Sequence, residues 1–187
     1  LTGTCVCSNG VFTWTLSDSN SDNKWDLAIA ADTTKPTTTF SPVNGATSVA
    51  VASDITLTFN EAVRLTNDSA LDDSNVDALI TLKENNSSGS DISFDATINN
   101  GKTVITINPS SNFSSEQVVY VAIGATVEDA SNNAINTANI TFTAVDTSKP
   151  TTTFSPVNGA TSVAVASDIT LTFNEAVRLT NDSALDD

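Results

Sequence analysis

The 187-residue chain carries 22 acidic and 7 basic side chains, for a formal charge of −15 and a pI near 4.1. A surface of that sign repels phosphate backbones and anionic lipid, which argues against nucleic acid and membrane as partners. Histidine and methionine are absent, and both cysteines, Cys5 and Cys7, fall before the first long strand pattern.

Leu1–Gly10 (LTGTCVCSNG) has neither a basic start nor an apolar centre, so a leader peptide is expected to lie upstream or to have been removed. Val118–Val127 is the longest apolar run and about half of what a spanning helix needs. Val11–Leu16 (VFTWTL) alternates, with Phe12, Trp14 and Leu16 on one side. Trp25–Ala30 (WDLAIA) repeats the pattern with Trp25, Leu27 and Ile29, and the turn-rich Ser17–Lys24 joins the two into a hairpin. A lone hairpin is marginal in water. Residues 1–31 therefore read as the closing strands of a preceding domain, or as a hairpin exchanged with a neighbour.

Asp32–Pro36 (DTTKP) is a stiff, proline-marked linker. Short strands are expected at Thr37–Ser41, Thr47–Val51, Asp54–Asn60 and Ala62–Leu65, and a loop or one helical turn over Asn67–Asp77. Ile55, Leu57 and Phe59 give the clearest period-two pattern in the chain. Further strands fall at Ala78–Lys83, Asp91–Ile98, Thr103–Ile107, Gln117–Ile123 and Ala138–Val145. Between them lie a flexible Glu84–Ser90 and an Asn99–Lys102 hairpin turn whose Asn and Gly tolerate positive φ. Many short Thr- and Val-rich strands without an amphipathic helix imply an all-β, immunoglobulin-like antiparallel β-sandwich. Tyr120 fits either a corner tyrosine or an ordinary half-buried one.

The stretch Asp32–Asp73 occurs twice. It returns 114 positions later as Asp146–Asp187, with Ser148 in place of Thr34 as the sole change. A fixed period with near-identical copies marks a tandem repeat. The reading is one complete repeat at 32–145 and the first part of a second at 146–187.

The opening KPTTTFSPVNGATSVAVASDITLTFNEAV resembles the first strands of bacterial Ig-like domains of S-layer proteins and large surface adhesins. These read D-x-x-x-P, then S-P-x-x-G-A-x-x-V, then I-T-L-T-F-x-E-x-V. GKTVITINPSSNFSSEQVVYVAIGATVEDASNNAINTANITFTAV is similar to the family's closing strands, although Asp129-Ala130-Ser131-Asn132 stands where D-x-x-G-N is usual. The resemblance implies an extracellular, cell-surface module serving as a stalk or filament and no catalysis. Some such domains crosslink a lysine to Asn or Asp, but Lys83 and Lys102 read as solvated positions.

Catalytic chemistry finds little support. The repeat has no His or Cys, and its close carboxylate pairs, Asp72-Asp73 and Glu128-Asp129, sit in polar loops; the chain is expected not to be an enzyme. Cys5 and Cys7 share a strand face, where a mutual bridge would be strained. A disulfide to another chain or to sequence outside this stretch is easier, and plain buried thiols are the alternative. Calcium is the one candidate cofactor. Asp18, Asn20, Asp22 and Asp26 follow the D-x-N-x-D spacing of an EF-hand-like loop, against a plain Asx-rich turn. A second candidate is the junction, where Asp32 or Asp146 would meet Glu128 and Asp129. The same spacing at Asp73, Asn75 and Asp77 reads as coincidence, because Ala78 replaces the glycine and a strand follows.

Residues 146–187 would be half a sandwich with an open core. The expected partners are neighbouring copies of the same chain, joined head to tail by strand addition, with the 1–31 hairpin as one contributor. Two function classes follow. One is an extracellular structural stalk or filament; the other is an adhesin binding a carbohydrate or host protein. A repeat with no Trp and one Tyr favours the first.

Overall fold

The computed structural model describes residues 2–7, 10–17, 26–29, 31–180 and 183, the first three segments as backbone. The chain divides into two compact units, 1–145 and 146–187. In the first, β1 (Thr2–Cys7), β2 (Gly10–Ser17) and β3 (Asp26–Ile29) form an antiparallel sheet in the order β1-β2-β3. The register sets position Phe12 opposite Cys5, Trp14 opposite Ile29 and Leu16 opposite Leu27. The expected hairpin thus gains a third strand, contributed by the cysteine-bearing segment.

Residues 32–145 fold as a two-layer sandwich. One sheet has the order β4-β5-β9-β8, from β4 (Thr38–Ser41), β5 (Ile55–Phe59), β8 (Phe94–Ile98) and β9 (Val104–Pro109). The other has the order β12-β10-β7, from β7 (Ile80–Glu84), β10 (Val118–Ile123) and β12 (Ala138–Thr143). A small ladder joins β6 (Arg64–Leu65) to β11 (Val127–Glu128). All strand pairs are antiparallel, and among the described residues the helical content is one 3₁₀ turn, Asp77–Leu79.

Alternation decides which side chains meet. Ile55, Leu57 and Phe59 of β5 face inward with Ile105 and Ile107 of β9, and the opposing sheet answers with Val119, Val121, Ile123, Ile140 and Phe142. Each large aliphatic side chain buried this way contributes roughly 1.5–3 kcal/mol. Phe113 and Phe142 add an edge-to-face contact, with centroids 5.6 Å apart at 73°. Tyr120 lies mid-strand on the outward side of β10, opposite Lys83 and Thr141 and half-buried, so the ordinary reading of this residue holds.

Three expectations change in detail. Thr47–Val51 is not a ladder strand. The chain leaves β4 at the cis Ser41–Pro42 bond, crosses to the other sheet and runs parallel to β12, with Val49 bridging Ala144. Its amides are satisfied there, Gly45 N donating to Thr141 O at 2.7 Å and Val49 N to Thr143 O at 3.1 Å. At the Asn99–Lys102 turn the left-handed residue is Lys102 (φ 56°), because Asn99 Oδ1 accepts from Thr103 N and Val104 N and draws the turn closed one residue later. Glu84–Ser90 is a tight turn, with Glu84 N donating to Ser90 O, and a Cβ on Gly89 would collide with the Glu84 carbonyl.

The second unit repeats the opening of the first. β13 (Thr152–Ser155) pairs with β14 (Thr170–Phe173), Thr152 opposite Phe173, as Thr38 stands opposite Phe59. Its supporting contact is also the same: Asn174 Oδ1 accepts from Thr151 N at 2.6 Å, as Asn60 Oδ1 does from Thr37 N at 2.6 Å.

Candidate metal centre

Three carboxylates converge where the linker enters the sandwich. Asp32 comes from the linker, Glu61 from the turn after β5, and Asp129 from the loop after β11. One oxygen of each lies within 4.8 Å of the others. The antiparallel β4–β5 hairpin carries Glu61 back toward the linker, since Phe59 pairs with Thr38. Asn133 then ties linker to loop, its Nδ2 donating to Asp32 O at 3.0 Å and to Asp129 Oδ2 at 2.9 Å. Further along, Lys35 Nζ donates to Asn136 Oδ1 at 3.1 Å.

The three acids sit in different surroundings. Asp129 is 2% exposed; burial pushes its pKa up, but the Asn133 side chain and the Asn133 and Ser131 amides outweigh that, with Arg64 adding to them. The net result lies below the ordinary carboxylate value. Glu61 moves the other way, raised first by burial and then by the charges of Asp129 and Asp32. A half-buried carboxylate pressed by two others is an arrangement that a cation relieves.

The donor set is all hard oxygen, which suits calcium or magnesium and not a soft metal. Asp129 already accepts from Ser131 N (2.7 Å), Asn133 N (2.9 Å) and Asn133 Nδ2. Its Oδ2 keeps one lone pair for an ion. Three carboxylate ligands are about half of a calcium shell, so water would complete it.

The site gathers Asp32 and Asp129 of the sequence-based junction and omits Glu128. That residue, 6% exposed, faces Arg64, whose Nε lies 3.4 Å from Glu128 Oε1. Arg64 Nη2 also meets Asp68 Oδ1 and Asn132 Oδ1, each at 2.6 Å, clamping β6 to the loop that carries Asp129. Asp146 opens the second unit, where its Oδ1 accepts from Ser148 N at 2.8 Å, as Asp32 Oδ1 does from Thr34 N at 2.9 Å. Glu61 was not foreseen, although the motif I-T-L-T-F-x-E-x-V contains it.

Of the EF-hand-like candidate, Asp18, Asn20 and Asp22 lie outside the described residues and Asp26 begins β3; the side chains of Cys5 and Cys7 lie outside the description too. Asp73 and Asp77 do not form a cation loop. They accept from Ile98 N and Ala96 N, both at 2.8 Å, on the outer edge of β8. Lys83 is ion-paired with Asp91 at 2.6 Å.

No helix among the described residues is long and apolar enough to cross a membrane. The crystal structure of CopC from Methylosinus trichosporium OB3b is similar at 14% identity with a TM-score of 0.39, covering 59% of this chain and 92% of that one. No curated protein matches the sequence. Residues 32–144 match the family described as bacterial Ig-like domain. With that match spanning more than half of its length, and with the sandwich that the strand order shows, the chain belongs to the bacterial Ig-like domain family.

Proposed function

We propose that this chain is a stretch of a non-catalytic structural array outside the cytoplasm, a stalk or filament in which 114-residue Ig-like modules follow one another. One observation carries the reading. A 42-residue segment is repeated with a single change, and both copies fold into the same hairpin at the same register. A repeated scaffold without a repeated reactive group adds length and stiffness, which is what a spacer needs.

Calcium at Asp32, Glu61 and Asp129 fits this role, because it would pin the linker to the body of its own module and so reduce bending at the junction. Asp146 and Glu175 stand at the equivalent positions of the second copy.

The test is to extend the chain by appending residues 74–145 after Asp187 and to pull it in a single-molecule force experiment. Two unfolding events of equal contour length are expected. At roughly 3.6 Å per residue, a 114-residue module releases up to about 400 Å. One event, or two of clearly unequal length, would overturn the array reading. With calcium present the spacing is expected to stay the same and the unfolding force to rise.

A further inference from the structure

The dipeptide Asn-Gly stands at two places in the 32–145 module, Asn44-Gly45 and Asn100-Gly101, and all four residues are exposed. Glycine after asparagine leaves the next backbone nitrogen unshielded, so that it can reach the side-chain carboxamide. What separates the two sites is the state of the attacking nitrogen and of the carboxamide it would attack. At the first, β12 holds both: Gly45 N donates to Thr141 O at 2.7 Å, and Asn44 Oδ1 accepts from Thr141 N at 2.9 Å. At the second, the turn closes around the dipeptide through Lys102 N donating to Asn99 O at 3.0 Å. The neighbouring Asn99 is engaged, its Oδ1 accepting from Thr103 N and Val104 N and its Nδ2 donating to Thr103 Oγ1. Among the described residues nothing accepts from Gly101 N or holds the Asn100 side chain.

We propose that Asn100 is a self-modification site, converting without an enzyme into aspartate and isoaspartate while Asn44 stays an amide. Gly101 N gives up its proton to solvent base and bonds to Asn100 Cγ. The Cγ–Nδ2 bond then breaks, and ammonia leaves with a proton returned from solvent. The five-membered succinimide that remains takes up one water. Attack on the side-chain carbonyl restores the main chain and leaves Asp; attack on the main-chain carbonyl leaves isoaspartate, with the chain rerouted through Cβ and Cγ. Either product replaces an amide with a carboxylate, and nothing is oxidised or reduced. The change falls beside the turn that carries Glu61, since Lys102 O and Thr103 O accept from Val63 N at 3.0 Å and Phe59 N at 2.8 Å. The inference is independent of the array reading; in an array it would recur once in every module.

The test is to age the folded 187-residue chain in mildly alkaline buffer, following each site by peptide mass spectrometry and by enzymatic methylation of isoaspartate. Trypsin separates the sites, because Asn100 lies on Glu84–Lys102 and Asn44 on Trp25–Arg64, where Pro36 blocks cleavage after Lys35. Asn100 is expected to convert roughly tenfold faster than Asn44, at a rate that rises with pH. In urea, where β12 no longer holds Asn44, the two rates should converge. Gly101→Ala should slow Asn100 by a similar factor, because the added methyl shields the nitrogen. That Cβ would meet Thr103 Oγ1 at 3.5 Å, an ordinary contact, and continued protection of Asn44 in the variant reports that the fold is kept. Equal rates at the two sites in the folded chain, an Asn100 that stays an amide until urea is added, or conversion that Gly101→Ala leaves unchanged would each overturn the proposal.

Discussion

Asp129 shows how a buried charge is tolerated when several donors converge on it, even with two other carboxylates close by. Three N–H groups from Ser131 and Asn133 meet its two oxygens, so Asp129→Ala leaves those donors without partners. A loss of roughly 2–4 kcal/mol is expected in urea unfolding. Because the folded Asp129 titrates below its ordinary value, its contribution is complete above the unfolded pKa and disappears as pH falls through the folded one. Glu61 has the opposite sign. Its folded pKa is raised, so its carboxyl favours folding below the ordinary value and that contribution is lost as pH rises through the folded value. Glu61→Gln should therefore stabilise the chelator-treated protein slightly, by up to about 0.5 kcal/mol, and remove its response to calcium. In the unsubstituted chain, calcium at ten times its Kd should add about 1.4 kcal/mol near pH 7, seen as a rise in Tm that shrinks as the pH approaches 4. A Glu61→Gln protein that keeps the full calcium shift would remove the triad as the site. Asp32 and Asp129 were legible as a junction pair because linker and closing loop are both acidic in sequence. Glu61 was hidden because its place depends on the hairpin register, and Glu128 misled because nothing local shows that it turns toward Arg64.

Among the elements, β8 shows how an edge is closed without another strand. Its outward amides at Ala96 and Ile98 are taken by Asp77 and Asp73, residues that lie 19 and 25 positions earlier. An open edge invites pairing with other chains, and two carboxylates bound along it present charge instead. Replacing both with alanine is expected to cost about 1–2 kcal/mol for each amide left unpaired. It should also raise light scattering at high protein concentration, whereas Asp→Asn at both positions, which keeps an acceptor, should restore most of the stability. Unchanged stability in the double alanine variant would show that the two contacts do not hold the edge. The strands themselves were readable, since β5, β9, β10 and β12 each bury every second residue and that alternation is written in the chain. What could not be read was partnership across distance. The D-x-N-x-D spacing matched a cation loop locally, and its true use appears only once β8 lies beside it. Thr47–Val51 was likewise read as a strand of its own, because the pairing of this segment with β12 reaches nearly a hundred positions along the chain.

At the scale of the whole chain, one side chain can be tested in two environments. Leu57 is fully buried and Leu171, its repeat partner, is 48% exposed. Leu57→Asp should unfold the 32–145 module, because an unpaired charge in that core costs more than about 4 kcal/mol. Leu171→Asp should leave the same module's unfolding midpoint within about 0.5 kcal/mol of the parent. Equal losses from the two would mean that the modules do not fold as separate units. The hairpin shared by both copies also bears on synthesis. In the proposed array, each new module would emerge with its first two strands able to pair and their apolar side bare, and 72 further residues would have to leave the ribosome before a cover exists. At bacterial translation speeds of roughly 5–20 residues per second, that interval is about 4–14 s. For such a window, repeated at every module, the nascent chain would depend on chaperones that shield bare apolar surface, and polysomes crowded with identical half-built modules are where entanglement between chains would begin.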